Sequence, residues 1–93
     1  MFTILLYYKN YMSCLLFSYS GNSRDLRKII ISILKSGNAL EIHKFNYVQS
    51  FKLKENIIEK WEIKYIIMHT DDESKLLNFL SKNFPQIERI KLD

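Results

Sequence analysis

Residues 39–70 read ALEIHKFNYVQSFKLKENIIEKWEIKYIIMHT, and apolar and polar side chains alternate along both halves of this stretch. Such alternation predicts strands with one buried face, because successive strand side chains point to opposite faces of a sheet. Between the halves lies the polar break Lys54–Glu55–Asn56, whose asparagine tolerates a positive φ. The stretch therefore predicts two long antiparallel strands joined by a tight turn.

The alternation is interrupted once, because the apolar parity slips by one residue between Ile42 and Phe45. One extra residue in a strand of an antiparallel pair flips the buried face, so we predict a β-bulge near His43–Lys44. A hairpin of this length also exceeds what two short helices can cover. Its surplus apolar surface predicts a partner chain.

The segment before the hairpin predicts one strand and one helix. Cys14–Tyr19 is apolar and rich in residues that favour strands. Apolar residues then recur at helical spacing over 26–34, following Asn22, which can cap a helix. Gly37 is suited to end this helix because glycine adopts the left-handed conformation at little cost.

The segment after the hairpin predicts a second helix and a last strand. Asp71 or Asp72 caps a helix that runs to about Asn83, and Pro85 stops it. Residues 86–92 form the last strand. The order β–α–β–β–α–β predicts an α+β fold, a ferredoxin-like βαββαβ sandwich with a long central β-hairpin and helices on one sheet face.

Length and composition bound the remaining possibilities. The 93 residues suffice for one domain, which we place at residues 13–93, with residues 1–12 as an N-terminal extension or extra strand. Phe2–Tyr8 is too short to span a bilayer and lacks the pattern of a targeting signal, so no membrane partner is predicted. The lone Cys14 cannot form an internal disulfide and predicts a reducing, cytoplasmic compartment.

Residues suited to chemistry are few. Two histidines, one cysteine and scattered acidic residues form no recognisable catalytic motif, which predicts a protein that is not an enzyme. His43 and His69 are the candidate metal ligands, because imidazole suits copper and zinc. Counted from the turn, His69 should lie opposite Leu40 or Glu41. An offset of two or three residues, at about 3.3 Å each, should hold the two rings too far apart for one unassisted site.

Two further expectations concern metal binding and the thiol. A metal site shared between chains is kept as an alternative, because it does not depend on the distance between His43 and His69 within one chain. Cys14 lies in an apolar strand and is expected to be a small core residue.

Nucleic acid is the alternative ligand. Lys44–Phe45–Asn46–Tyr47–Val48 is similar to the aromatic strand with which RNA-recognition motifs stack bases. The match lacks the glycine after the basic residue, and Ser50 takes the final aromatic position. The net charge of +4 is a mild excess that favours nucleic acid only weakly. Single-stranded RNA binding through an aromatic sheet face is therefore kept as the second hypothesis.

From about Cys14 to Asp93, the order and spacing of short segments resemble the CutA divalent-cation tolerance family. The segments that carry the resemblance are Leu15–Leu16–Phe17, Ser20–Gly21–Asn22, Lys35–Ser36–Gly37–Asn38–Ala39–Leu40, Ser50–Phe51, Glu55–Asn56–Ile57–Ile58–Glu59, Ile66–Ile67–Met68–His69–Thr70 and Asn83–Phe84–Pro85. The sequence departs from the family at Ser18, near which some members carry a cysteine, and at Phe84, where the family has a histidine. We also expect no counterpart of the C-terminal helix that longer members carry.

The resemblance implies a homotrimer whose hairpins pack between subunits. It further implies a non-enzymatic role in divalent metal tolerance or small-molecule signalling, with a divalent metal such as copper as the cofactor. The aromatic and apolar residues of the hairpin are expected to divide between core and subunit contacts; they are Phe45, Tyr47, Phe51, Trp61, Ile63 and Tyr65.

Overall fold

The structure is a computed structural model that describes residues 12–91, apart from the side chains of Asn46 and Tyr47. The extra strand predicted at Phe2–Tyr8 lies outside the described residues. The elements are, in chain order, β1 (Ser13–Tyr19), α1 (Ser23–Ser36), β2 (Glu41–Lys54), β3 (Ile57–Thr70), α2 (Glu73–Asn83) and β4 (Glu88–Ile90). The predicted α+β, ferredoxin-like order is confirmed.

The strands form an antiparallel sheet in the order β2–β3–β1–β4. Leu15 and Phe17 of β1 lie beside Met68 and Ile66 of β3, and all four are buried in the core shared with the two helices. The alternate residues point to the other side, which we call the outer face. Its central members are Cys14, Leu16 and Ser18 on β1, Glu41, His43 and Phe45 on β2, and Ile63, Tyr65, Ile67 and His69 on β3.

Both helices begin and end at the chemical signals that predicted them. The Asn22 side chain accepts a hydrogen bond from the Asp25 backbone N–H at 2.8 Å, which satisfies a free donor at the start of α1. Gly37 ends α1 with φ 79°. Asp72 caps α2 by accepting from the Lys75 N–H at 3.1 Å. Neither helix in the described part of the chain is long and apolar enough to cross a membrane.

The hairpin turn has the geometry that the sequence predicts. Lys54 pairs with Ile57, so Glu55 and Asn56 form a two-residue turn with φ values of 51° and 67°. Positive φ at both central residues matches the right-handed twist of the flanking strands. The short polar break therefore sets the register of the hairpin from the turn to the pair Val48–Ile63.

The predicted position of the β-bulge is wrong. The register shifts between Phe45 and Val48, after the predicted His43–Lys44. Lys44 is still paired with Ile66, which is fully buried under the helices. Pairing is strongly specified wherever one sheet face is buried, so the extra residue is accommodated only where β2 leaves the core.

Thr70 joins the two connections that lead into β2 and α2. Its buried hydroxyl donates to the Asn38 carbonyl oxygen at 2.7 Å and accepts from the Asp72 N–H at 3.2 Å. Thr70→Val keeps the shape but leaves the Asn38 carbonyl unpaired, so we expect a loss of about 1–3 kcal/mol in the free energy of unfolding. Urea denaturation measures this loss.

The control for Thr70→Val is Ser32→Ala, which removes an exposed hydroxyl from α1. Alanine has the higher helix propensity, so this control should unfold at the same or a slightly higher urea concentration. Equal midpoints for wild type and Thr70→Val would contradict the role given to the hydroxyl.

Candidate functional site

Three side chains with metal-binding chemistry converge on the outer face. Glu41 and His43 are two residues apart on β2 and therefore point to the same side of the sheet. His69 on β3 is the direct cross-strand partner of Glu41, one of the two partners that the sequence predicts. His43 is thus the diagonal neighbour of His69.

The distances between these side chains are short. The Oε2 atom of Glu41 lies 3.3 Å from Nε2 of His43 and 3.7 Å from Nε2 of His69. The two imidazole centroids are 5.4 Å apart, with the rings nearly perpendicular at 82°. One donor atom from each of the three residues lies within 4.8 Å of the other two.

The expectation that the two histidine rings lie too far apart is therefore wrong. It counted the offset along the strands and left out the length and direction of the side chains. Diagonal neighbours on adjacent antiparallel strands are still within reach of aromatic and long side chains. A two-residue offset thus allows contact between His43 and His69.

The three side chains differ in solvent exposure and therefore in how freely they can rotate. The His69 side chain is 11% exposed, whereas those of Glu41 and His43 are 47% and 53% exposed. The His69 carbonyl also accepts a hydrogen bond from the Leu40 N–H at 2.8 Å, which holds the backbone in place. His69 is therefore the fixed member, and the other two can adjust.

Cys14 flanks this cluster and does not belong to the core. It pairs with His69 from the opposite side, on β1, and is exposed. The prediction that Cys14 is a core residue is wrong, because the strand parity that buries Leu15 turns Cys14 to the outer face. Its thiol is not among the three donors that converge.

The two positions at which the sequence departs from the CutA pattern, Ser18 and Phe84, offer neither a thiol nor an imidazole. Ser18 is buried and offers only a hydroxyl. Phe84 has no donor atom and packs T-shaped against Phe79 at a centroid distance of 6.0 Å. Neither position therefore provides a nitrogen or sulfur ligand for copper or zinc.

The hairpin beyond the bulge forms the second candidate surface, which we call the arm (residues 48–63). The cross-strand partners Leu53 and Ile58 share one face of the arm with Phe51, which is 62% exposed. Trp61, 43% exposed, lies on the other face with Ile57. The arm therefore carries exposed apolar side chains on both faces.

The six hairpin residues predicted to divide between core and interface occupy different surroundings. Phe45, Phe51 and Trp61 are exposed, and Ile63 and Tyr65 are half-buried on the outer face. The side chain of Tyr47 lies outside the described residues. Their division between core and subunit contacts stays a prediction.

Sequence reasoning missed Glu41 as a member of the site. Part of the signal was present, because Glu41 and His43 share a strand face. The register of the turn alone, with Lys54 opposite Ile57, would place His69 opposite Ile42, and the extra residue of the bulge between Phe45 and Val48 moves the partner to Glu41. Strand parity therefore groups Glu41 with His43, whereas grouping both with His69 also requires the bulge.

Comparisons with known proteins bear on the fold. No family model matches the sequence, and neither does any curated protein. The structure is similar to the periplasmic divalent cation tolerance protein CutA from Archaeoglobus fulgidus, with TM-score 0.59 and 16% identity over 88% of this chain and 84% of that one. It is also similar to the divalent ion tolerance protein CutA1 from Ehrlichia chaffeensis, with TM-score 0.62 and 17% identity over 88% and 79%.

A variant of CutA1 from Pyrococcus horikoshii OT3 gives the same result, with TM-score 0.59 and 14% identity over 87% of this chain and 82% of that one. These solved structures match this chain over most of its length, and the shared identity is low. The chain has the ferredoxin-like fold of the CutA proteins.

Proposed function

We propose that this chain is a CutA-like, self-assembling and non-enzymatic protein that acts in the tolerance of divalent metal ions. The observation that carries the proposal is the arm, which exposes large apolar side chains on both faces, among them Phe51, Ile58 and Trp61. Exposed apolar surface of this kind marks a protein interface.

A second copy of the same chain suits this surface best. The arm needs apolar contacts on two sides, and the outer face offers half-buried Leu16, Tyr65 and Ile67 in a row. Each copy therefore carries both a projecting apolar element and an apolar surface to receive one. Heterologous contacts of this kind form a ring when the rotation between copies closes, and the resemblance to the CutA family favours a ring of three.

The link to divalent ions has two supports. Solved proteins with this fold are named for divalent cation tolerance. The Glu41, His43 and His69 cluster provides donor types that copper and zinc use. Copper is the metal that the family resemblance favours, and the cytoplasm is the proposed compartment because Cys14 is a free thiol.

The test is the mass in solution, measured by size-exclusion chromatography with light scattering on the full chain. We expect about three times the chain mass of 11.2 kDa at micromolar concentration. A monomer at the same concentration would contradict the proposal. It would instead favour single-stranded RNA binding, which would show strong salt dependence in a titration with labelled oligonucleotide.

A further inference from the structure

We propose that Glu41, His43 and His69 bind one transition-metal ion of the zinc and copper class. The inference rests on the proposed link to divalent ions and deepens it by naming the site and the class of ion. It places the metal on the outer face at the base of the hairpin, away from Ser18 and Phe84, where the sequence departs from the CutA pattern.

The distances between donors fit a tetrahedral ion. Zinc bonds of about 2.1 Å to nitrogen and oxygen imply ligand-to-ligand distances of about 3.4 Å in a tetrahedron. Oε2 of Glu41 lies 3.3 Å and 3.7 Å from the two imidazole nitrogens. All three donors fall within 4.8 Å, so modest rotation of the exposed Glu41 and His43 side chains around the fixed His69 completes the geometry.

The donor types select the class of ion. Calcium takes six to eight oxygen ligands and magnesium demands an octahedron of oxygens. The cluster offers two imidazoles and one carboxylate, a set that borderline metals such as zinc and copper prefer. Three protein ligands leave a fourth position for water, which is the arrangement of an open, exchangeable site.

Two other interactions at the cluster must be separated from metal binding by these three residues. Glu41 can pair with a protonated His43 or His69 without any metal, since both nitrogens lie within ion-pair distance. Cys14 stands beside His69 on β1, and its thiol is a ligand type that soft metals prefer. The experiment therefore varies the carboxylate, an imidazole and the thiol independently.

Isothermal titration of the full chain with zinc chloride is the first measurement. We expect one ion bound per chain, and at least about 10–100-fold weaker binding in Glu41→Gln and His43→Gln. Both residues are half exposed, so circular dichroism should be unchanged. The matched control is Glu62→Gln, an exposed carboxylate of β3 whose parity places it on the opposite sheet face, and it should bind as wild type.

A titration with calcium chloride under the same conditions should give no binding at the site. Cobalt(II) is the spectroscopic probe, because its visible bands report tetrahedral coordination and a thiolate ligand adds a strong charge-transfer band in the near ultraviolet. We expect tetrahedral bands without the thiolate band, and unchanged zinc affinity in Cys14→Ser.

Several results would overturn the inference. They are an absence of zinc binding by wild type, equal affinity in Glu41→Gln and wild type, or loss of binding in Cys14→Ser. Each result concerns the site alone, because the mass of the assembly is measured separately. A trimer that does not bind zinc would refute this site and leave the proposed self-assembly intact. A monomer that binds zinc would refute the self-assembly and leave the site intact.

Discussion

Trp61→Ala is expected to shift the protein from about three chains to one at low micromolar concentration, with helix content unchanged. Trp61 is the largest apolar side chain on its face of the arm and is 43% exposed in the single chain. Buried tryptophans at interfaces commonly contribute about 2 kcal/mol or more to association. The same association energy is lost at every subunit contact. Light scattering over a dilution series measures the resulting change in mass.

The matched control is Ile31→Ala, which removes another exposed apolar side chain, on α1 and away from the arm. Its mass should follow that of wild type at every dilution. If Trp61→Ala keeps the wild-type mass throughout the series, the arm does not carry the assembly.

Phe17→Ala is expected to lower the free energy of unfolding by about 3–5 kcal/mol. Phe17 is buried in the middle of β1, opposite Ile66, and packs in the core beneath both helices. Truncation removes apolar contacts and leaves a cavity that the surrounding strands cannot close. A domain of this size is stable by about 5–15 kcal/mol, so the variant should be near the limit of folding.

Urea denaturation at one fixed chain concentration measures this effect, because the stability of an assembly depends on concentration. Leu34→Ala is the matched control, since Leu34 is an exposed apolar residue of α1. It should cost less than about 1 kcal/mol. Similar losses in the two variants would contradict the position of Phe17 at the centre of the core.

Features set by local chemistry could be predicted from the sequence. Asn22 and Asp72 cap the two helices because their side chains satisfy nearby backbone donors. Asn56 favours the turn because asparagine tolerates the positive φ that the hairpin requires at this position. Each feature depends on neighbours in the sequence and is independent of the packing around it.

Features set by packing could not be placed as well. The bulge lies after Phe45 because the buried neighbour Ile66 holds the register until β2 leaves the core. The approach of His43 to His69 depends on side-chain direction, which strand offsets do not give. The contacts proposed for Trp61 involve a second chain, and one sequence gives only indirect information about such a partner.

The long hairpin leaves one edge of the described sheet unpaired in the single chain. In the described part of the sheet β2 is an outermost strand, so its 14 residues present one row of free backbone groups. Such an edge invites stacking of strand on strand into fibrils. Lys44, Lys52 and Lys54 lie along this strand, and two copies of β2 stacked in parallel register would bring these like charges together. Repulsion between them disfavours growth of the sheet through the backbone of β2.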